Sequence, residues 1–493
     1  MKKTIILLTA TLALASCAKF TDLKPKGMNM LSSADELELL LNIEYRSHLN
    51  ECFDLYQLPG DVIPGPTGNI GNLLSAPTPS RNSILVTWDQ TQVQRLPELT
   101  SYDMDYSTLY GYIGQVANPI LASVDFATGD AAKVQQIKAE ALCLRAWAHF
   151  LLVNKFAAAY NPATAATTPG IPYLTEDWDI SVPPVKWTVQ EVYEKIVADC
   201  DAAIELDALP QKNINQMRWS KACPYAIKAL ALISMQRFEE AEAAAKESLA
   251  VNNAVSDYWS AALTATRSPY MPPFTPFSFV NRVPFGCEED LFHTYVELNF
   301  TLLRTPELEA QLEAGHSALV RMPTGMAFFG FIPEMGMGMS MCGLPYADIG
   351  GMGSSAGASW NTHGLKTTHQ YLIVAVCEIR EGHIDEAMGY LDAIRVKRID
   401  PSVYAPLKGA VSSKEEAIAH LKQTALGENV YSLYNFIQRK RWNHLPDMKE
   451  TLHRTLLGQE FALTPESALW IFPFPANAVD NNPNLKQNAY AEE

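Results

Sequence analysis

Between Ala131 and Phe156 the apolar residues Ile137, Ala141, Leu144, Ala148, Leu151 and Leu152 recur at three- and four-residue steps. That recurrence sets them on one stripe of a long α-helix, and such a stripe must be buried against other helices. The same period returns along much of the chain. Ser33 to Glu44 reads as a helix capped by Ser33, with Leu37, Leu40 and Leu41 on one face. Thr188 opens a helix to about Leu206, and Glu191 three residues on completes a capping box. Ser220 to about Ala250 holds two helices with a turn near Arg237 and Phe238. Further helices are expected over Thr368 to Arg380, Ile384 to Ile399, Lys414 to Leu426 and Val430 to Trp442. Two junctions look alike: Arg237-Phe238-Glu239-Glu240-Ala241 and Gly382-His383-Ile384-Asp385-Glu386-Ala387. In each, acidic residues suit a helix start and the alanine suits a close crossing. The expected fold is therefore mainly α, a scaffold of paired antiparallel helices of the tetratricopeptide kind, although no regular repeat of about 34 residues runs through it.

Other stretches break the period. Tyr56 to Arg81 is rich in Pro, Gly and Asn and reads as a long loop, and Asn161 to Tyr173 is interrupted by Pro162, Pro169, Gly170 and Pro172. Asn253 to Trp360 is dense in Pro, Gly and aromatic residues, and reads as a loop-rich insertion within a single domain over 28–493. Leu469 to Tyr490 is expected to be extended.

The N-terminus has a different character. Lys2 and Lys3 precede an apolar run of 11 residues, Thr4 to Leu14. As a helix this run reaches only about 16 Å, roughly half a hydrocarbon core. It reads as a cleaved export signal over 1–16. Leu14-Ala15-Ser16-Cys17 looks like the lipobox of bacterial lipoproteins, with Cys17 as the lipidated residue and 17–27 as a polar tether. The alternative at this point is an ordinary cysteine beside a plain cleavage site. With 54 acidic against 38 basic residues, two of the latter inside the signal, the surface repels phosphate backbones, and nucleic acid is not an expected partner. Cys52, Cys143, Cys200, Cys223, Cys287, Cys342 and Cys377 are scattered without C-x-x-C spacing, which argues against a disulfide framework and a zinc site. Cys143, Cys200 and Cys377 fall in helical patterns as small core residues.

Five motifs in order then resemble the SusD/RagB family of surface nutrient-binding lipoproteins. Phe20-Thr21-Asp22-Leu23-Lys24-Pro25-Lys26-Gly27 looks like the early "F/Y-L-D-x-K-P" segment, in a form similar to the RagB-like branch. Ala139 to Phe150 matches "A-E-A-x-x-L-R-A-x-x-x-F", and Gly170-Ile171-Pro172-Tyr173-Leu174-Thr175-Glu176 matches "G-x-P-L-x-T". Tyr371 to Arg398 fits the C-terminal helix pair. Leu469 to Pro475 with Asn482 to Asn488 looks like the closing "P-I-P…N-x-x-L-x-Q-N". One departure stands out: the family's Phe-Glu-Gly-x-Arg-x-x-Asp is missing before the last helix, where Arg439, Lys440, Arg441 and Trp442 partly fill its place. The resemblance implies a SusD-like scaffold, an outward-facing outer-membrane lipoprotein without a catalytic centre or cofactor, and a SusC-like TonB-dependent barrel as partner. The ligand it implies is an oligosaccharide, or a peptide in the RagB-like branch.

A sugar binder needs flat aromatic faces with Asn, Asp or Arg beside them, carried on loops held by a rigid scaffold. Candidates are Trp88, Tyr102, Tyr258, Trp259, Tyr270 and Trp360, with Asn281 and Arg282 as polar partners. The competing reading is that these rings anchor loops on the helices, whereas Trp147, Trp187 and Trp442 are expected in the core. Met322 to Met352 holds seven methionines and reads as an adaptable apolar loop rather than a soft-metal site. Gly351-Met352-Gly353-Ser354-Ser355-Ala356 has neither a strand before it nor a helix after it, which argues against a dinucleotide site. Glu288, Glu289 and Asp290 are adjacent, not opposed across a bond as glycosidase carboxylates are, and read as a solvated acidic turn. Surface hydrolysis and a ligand-free scaffolding role remain as rivals to binding.

Overall fold

The computed structural model describes residues 31–43, 67–263, 288–297, 302–317, 363–430 and 432–490, with shorter pieces at 46–48, 58–59, 62–64, 328–332, 337–341 and 361. Its helices are α1 (Ala34–Leu41), α2 (Met104–Tyr112), α3 (Ala131–Phe156), α4 (Val189–Glu205), α5 (Ala222–Ser234) and α6 (Phe238–Val251), then α7 (Thr367–Glu381), α8 (Ile384–Arg395), α9 (Lys414–Asn429) and α10 (Leu433–Trp442), besides shorter turns. From α3 to α10 each helix packs on the next, and α6 packs on α7 across the intervening insertion. The result is the expected tetratricopeptide-like succession of antiparallel pairs.

Local chemistry sets the helix ends. The reciprocal capping boxes Ser33/Glu36 and Thr188/Glu191 both form. Asp130, Ser413 and Ser432 cap α3, α9 and α10. Gly382 ends α7 in the left-handed region (φ 88°), where a side chain would be strained, so the chain can turn at once into α8. Several spans differ from those read in the sequence. α1 stops at Leu41, α8 at Arg395, and α9 continues to Asn429. A helix at Thr67–Ser75 lies inside the expected loop, and Ala476–Asn481 is a helical turn inside the expected extended tail.

The long helix α3 is the main correction. Its apolar stripe predicts one buried face, yet every residue from Ala139 to Phe156 is buried. α2, α4 and α5 all pack on it, so it is the central post of the fold, and small residues such as Ala141, Ala146 and Ala148 let its neighbours come close. The charged residues of this stretch are therefore buried too, and each must be paired. Glu140 accepts from Arg218 Nε at 2.5 Å and Nη2 at 2.7 Å. Lys155 Nζ bridges Asp103 and Asp105 at 2.8 and 2.7 Å. Cys143, Cys200, Cys223 and Cys377 are buried free thiols, whereas Cys17, Cys52, Cys287 and Cys342 lie outside the described residues.

Short strand pairs tie the non-helical segments together. β1 (Arg46–His48) runs parallel to β4 (Tyr295–Glu297), and β2 (Val62–Pro64) runs antiparallel to β5 (Leu302–Arg304). β3 (Asp290–Phe292) pairs antiparallel with β8 (Leu365–Lys366), so both ends of the second half of the insertion are pinned at one place. β6 (Phe328–Ile332) and β7 (Met337–Met341) form a hairpin, which puts part of the methionine-rich run on a strand instead of a loop. β9 (Leu452–Leu456) and β10 (Gln459–Leu463) form a second hairpin, with Leu457 and Gly458 at positive φ as a tight two-residue turn demands. Among the described residues no helix is long and apolar enough to cross a membrane.

Candidate functional site

The two pairings β1/β4 and β2/β5 join the non-helical stretch near 46–64 to the insertion near 295–304. The candidate rings fall around 50–105 and 253–360, and a ligand face built from both stretches would thereby be contiguous in part. Not all of its candidate rings are open. Trp88 closes a short helix over Arg81–Thr87 in the left-handed region (φ 51°) and is 2% exposed. Its Nε1 donates to the Leu58 carbonyl at 2.9 Å, and the Arg454 guanidinium lies 4.2 Å from its ring centre. It is a packed anchor, so its inclusion among the surface rings is corrected. Tyr258 is buried as well, its hydroxyl on Glu289 and its ring beneath Arg398 at 3.8 Å. Trp259 is half-buried, and its backbone N–H donates to the Lys397 carbonyl at 3.1 Å. Tyr102 is 47% exposed, ahead of Asp103, which caps α2. Tyr270, Asn281, Arg282, Trp360 and Cys17 lie outside the described residues.

The core tryptophans divide in the opposite sense. Trp147 and Trp442 are buried as expected, but Trp187 is 37% exposed, with the Lys195 ammonium 4.2 Å from its ring centre. The loop before it also exposes Ile180, Val182 and Val185.

The acidic turn is not solvated. Glu288 is exposed, but Glu289 is fully buried and Asp290 nearly so. Glu289 Oε2 accepts from Arg398 Nη2 at 2.9 Å and from the Ser256 N–H at 3.0 Å, with Lys366 Nζ 3.7 Å from its other oxygen. Arg398 also forks onto Glu428, at 2.5 and 2.9 Å. Burial alone would raise the Glu289 carboxyl, but the Arg398 and Lys366 charges outweigh it and bring it down to about 2. Asp290 accepts from Asn361 Nδ2 at 3.0 Å and faces His293 Nδ1 at 2.9 Å. These carboxylates anchor the insertion to α8 and α9 and are not aimed at a ligand.

The A-E-A-x-x-L-R motif proves structural in the same way. Arg145 is bidentate to Asp199 (2.7 Å twice) and also meets Glu176 of the Gly170–Glu176 loop. His149 stacks on Tyr173 at 3.7 Å, donates from Nδ1 to the Arg145 carbonyl and accepts the Leu174 N–H on Nε2. Burial pushes His149 down to about 3, which keeps it neutral. At the closing motif, Asn488 Nδ2 donates to the Phe156 and Phe472 carbonyls, fastening the tail to the end of α3.

A groove of about 270 Å³ between residues 310–311, α9 and α10 was not anticipated. Gln311, Gln423, Asn435, Gln438 and the Lys422–Glu450 pair (2.8 Å) line it, so it can exchange hydrogen bonds with a polar ligand. Its residues lie on helices, whereas aromatic loops were the signal sought. Trp442 also lines it, but at 4% exposure offers little ring face. Glu378, Glu381 and His383 hold three ligand atoms within 4.8 Å of one another at the end of α7. Lys246 sits 3.1 Å from Glu378 and competes with any cation there, so the group reads as an ion-pair cluster.

Residues 70–232 match a SusD-like family model described as "Starch-binding associating with outer membrane". No curated protein matches. Among solved structures, a SusD superfamily protein from Bacteroides thetaiotaomicron is similar over 93% of this chain and 100% of its own, with 16% identity and a TM-score of 0.62. A SusD-like carbohydrate binding protein from Bacteroides vulgatus is similar over 92% and 97%, with 14% identity and a TM-score of 0.60. Surface glycan-binding protein A from Bacteroides uniformis is similar over 81% and 88%, with 16% identity and a TM-score of 0.59. The fold is that of the SusD superfamily, and the α2–α5 region carries the SusD-like sequence pattern.

Proposed function

We propose that the protein is a cell-surface carbohydrate-binding lipoprotein that captures oligosaccharides and passes them to a SusC-like TonB-dependent barrel. The observation that carries the reading is the match of 70–232 to a family described as starch-binding and outer-membrane-associated, on a chain whose whole described fold is SusD-like. In this reading residues 1–16 are cleaved, Cys17 holds the acyl anchor, 17–27 form the tether and 28–493 form the receptor. Ligand binds on the face joined by β1/β4 and β2/β5. Tyr102 is the exposed ring among the described candidates, and Tyr270, Asn281, Arg282 and Trp360 are candidates to complete the face. The protein binds and releases without turning its ligand over, so affinity is modest. Micromolar binding requires about 8 kcal/mol, within reach of a few stacked rings.

A peptide ligand is the second reading, favoured by the RagB-like form of Lys24-Pro25-Lys26-Gly27. Calorimetric titration of the mature protein with starch-type and other oligosaccharides, beside pooled peptides, separates the two. Saturable binding of an oligosaccharide left intact by product analysis is the expected result. Binding of peptides alone, or hydrolysis of the sugar, would overturn the proposal.

A further inference from the structure

The run Arg439-Lys440-Arg441 puts three consecutive basic residues in the last turn of α10. Two of them find partners. Arg439 Nε donates to Asn435 Oδ1 at 3.1 Å and its Nη1 lies 3.6 Å from Glu450. Lys440 Nζ donates to the Asn154 and Ala157 carbonyls at 2.7 and 2.6 Å. Arg441 pairs with no carboxylate among the described residues. Its electrostatic neighbours are the Cys377 thiol, the Tyr193 phenol and another cation, Arg380. The side chain is half-buried, with Nε sealed from solvent and without an acceptor.

Arg441 lines a partly open cavity of about 40 Å³ between α3, α5, α7, α9 and α10. Trp442 lines it too, and its Nε1 is a buried donor without an acceptor. His369 lines it as well, but its needs are met: Nδ1 accepts the Lys366 N–H at 3.3 Å, and the ring's other side pairs with the Asn429 side chain. With that pair set aside, the unmatched polar atoms of the lining are the Arg441 and Trp442 donors. Ser234 and Gln438 are already engaged, with Leu230 O and with Asn435 and Asn429 respectively. A buried donor left unmade costs free energy, and an uncompensated guanidinium costs more. Water accepts but also brings two protons of its own; an anion only accepts.

We infer that this cavity is a binding site for one small monovalent anion of chloride size, held by Arg441 and Trp442. The volume decides the size. At 10–15 Å³ for each water-sized occupant, about three fit, too few for a hydrated phosphate or sulfate. Leu372, Ile373 and Leu421 are among the apolar residues that make up most of the lining, which suits a weakly hydrated halide.

Crystals of the mature protein soaked in sodium bromide, with data at the bromine edge, test the site directly. The expected result is an anomalous peak between Arg441 and Trp442. In solution, melting in sodium chloride against sodium gluconate at equal ionic strength should show a saturable rise of about 2 °C in halide, lost in Arg441→Met. Trp442→Phe keeps the packing and removes one donor, so it should weaken the halide dependence even if Arg441→Met fails to fold. Water density without an anomalous peak, or a halide dependence unchanged in Trp442→Phe, would overturn the assignment.

Discussion

Arg398 and Glu289 meet at 2.9 Å, fully buried and 109 residues apart in the chain. Arg398 lies in the turn just past α8 and Glu289 directly precedes β3, so this contact fixes the insertion onto the helical scaffold. Replacing Arg398 by Met leaves Glu289 and Glu428 buried together without their shared cation. Removing one member of a buried pair typically costs about 3–5 kcal/mol. We expect Arg398→Met to lower the urea midpoint by a matching amount, with a steeper loss in acid for the native protein. The sign follows from Glu289. Its folded value is depressed to about 2 from 4.5, so its contribution is complete above about pH 4.5 and is lost as pH falls toward 2. Midpoints measured from pH 6 to pH 2.5 check both; an Arg398→Met protein with the native pH slope would contradict the argument.

Arg145 offers a geometric test. Its fork meets both oxygens of Asp199, and its remaining nitrogen reaches Glu176. Lysine keeps the charge but not the planar fork, and cannot serve both carboxylates at once. Arg145→Lys is expected to cost about 2–3 kcal/mol in denaturant unfolding while leaving ligand affinity unchanged, because the pair joins α3 to α4 and is buried between them. Loss of sugar binding without loss of stability would assign Arg145 to the ligand instead.

How far the sequence could be read depended on the range of the interaction. Ser33 with Glu36 and Thr188 with Glu191 act over three residues: Ser33 caps α1 and the Thr188/Glu191 box forms as read, and Glu36 adds a second box that the reading of Ser33 as a cap left out. The helix pairs followed from periodicity in the same way. The all-round burial of α3 did not, because a stripe records only the residues that are apolar. Glu140, Arg145 and Lys155 conceal their burial by finding Arg218, Asp199 and Asp103 far along the chain. Glu288, Glu289 and Asp290 look alike in sequence, and only the approach of Arg398, Ser256 and Asn361 separates the exposed member from the buried ones. Trp88 and Tyr102 show the same limit at the candidate face: each is an aromatic residue in a polar stretch, and Arg454 decides which is covered.

That pair supplies opposite expectations. Trp88→Ala removes a buried ring and leaves Arg454 without its stacking surface, a change of the kind that costs about 3–5 kcal/mol. Tyr102→Ala removes an exposed ring and should leave the melting temperature within about 1 °C of native. In sugar titrations the roles reverse: Tyr102→Ala should weaken binding about tenfold, in line with one lost stacking contact. Native affinity in Tyr102→Ala would remove this ring from the proposed site.

Lys440 carries the last expectation. Its ammonium is buried, and burial pushes it down to about 7 from 10.5. Its partners are two backbone carbonyls, Asn154 O and Ala157 O, so a neutral amine with its two N–H groups satisfies both. Between about pH 7 and 10.5 the unfolded chain therefore keeps a proton that the folded protein has given up. Stability must rise with pH across that window and stay flat below it, as far as this group is concerned. Urea midpoints at pH 7 and pH 9.5, compared between the native protein and Lys440→Met, isolate the effect, since methionine cannot titrate. A native protein whose midpoint rises more than that of Lys440→Met supports a neutral amine at the end of α3. Equal slopes would mean that the carboxyl end of α3 holds Lys440 charged despite its burial.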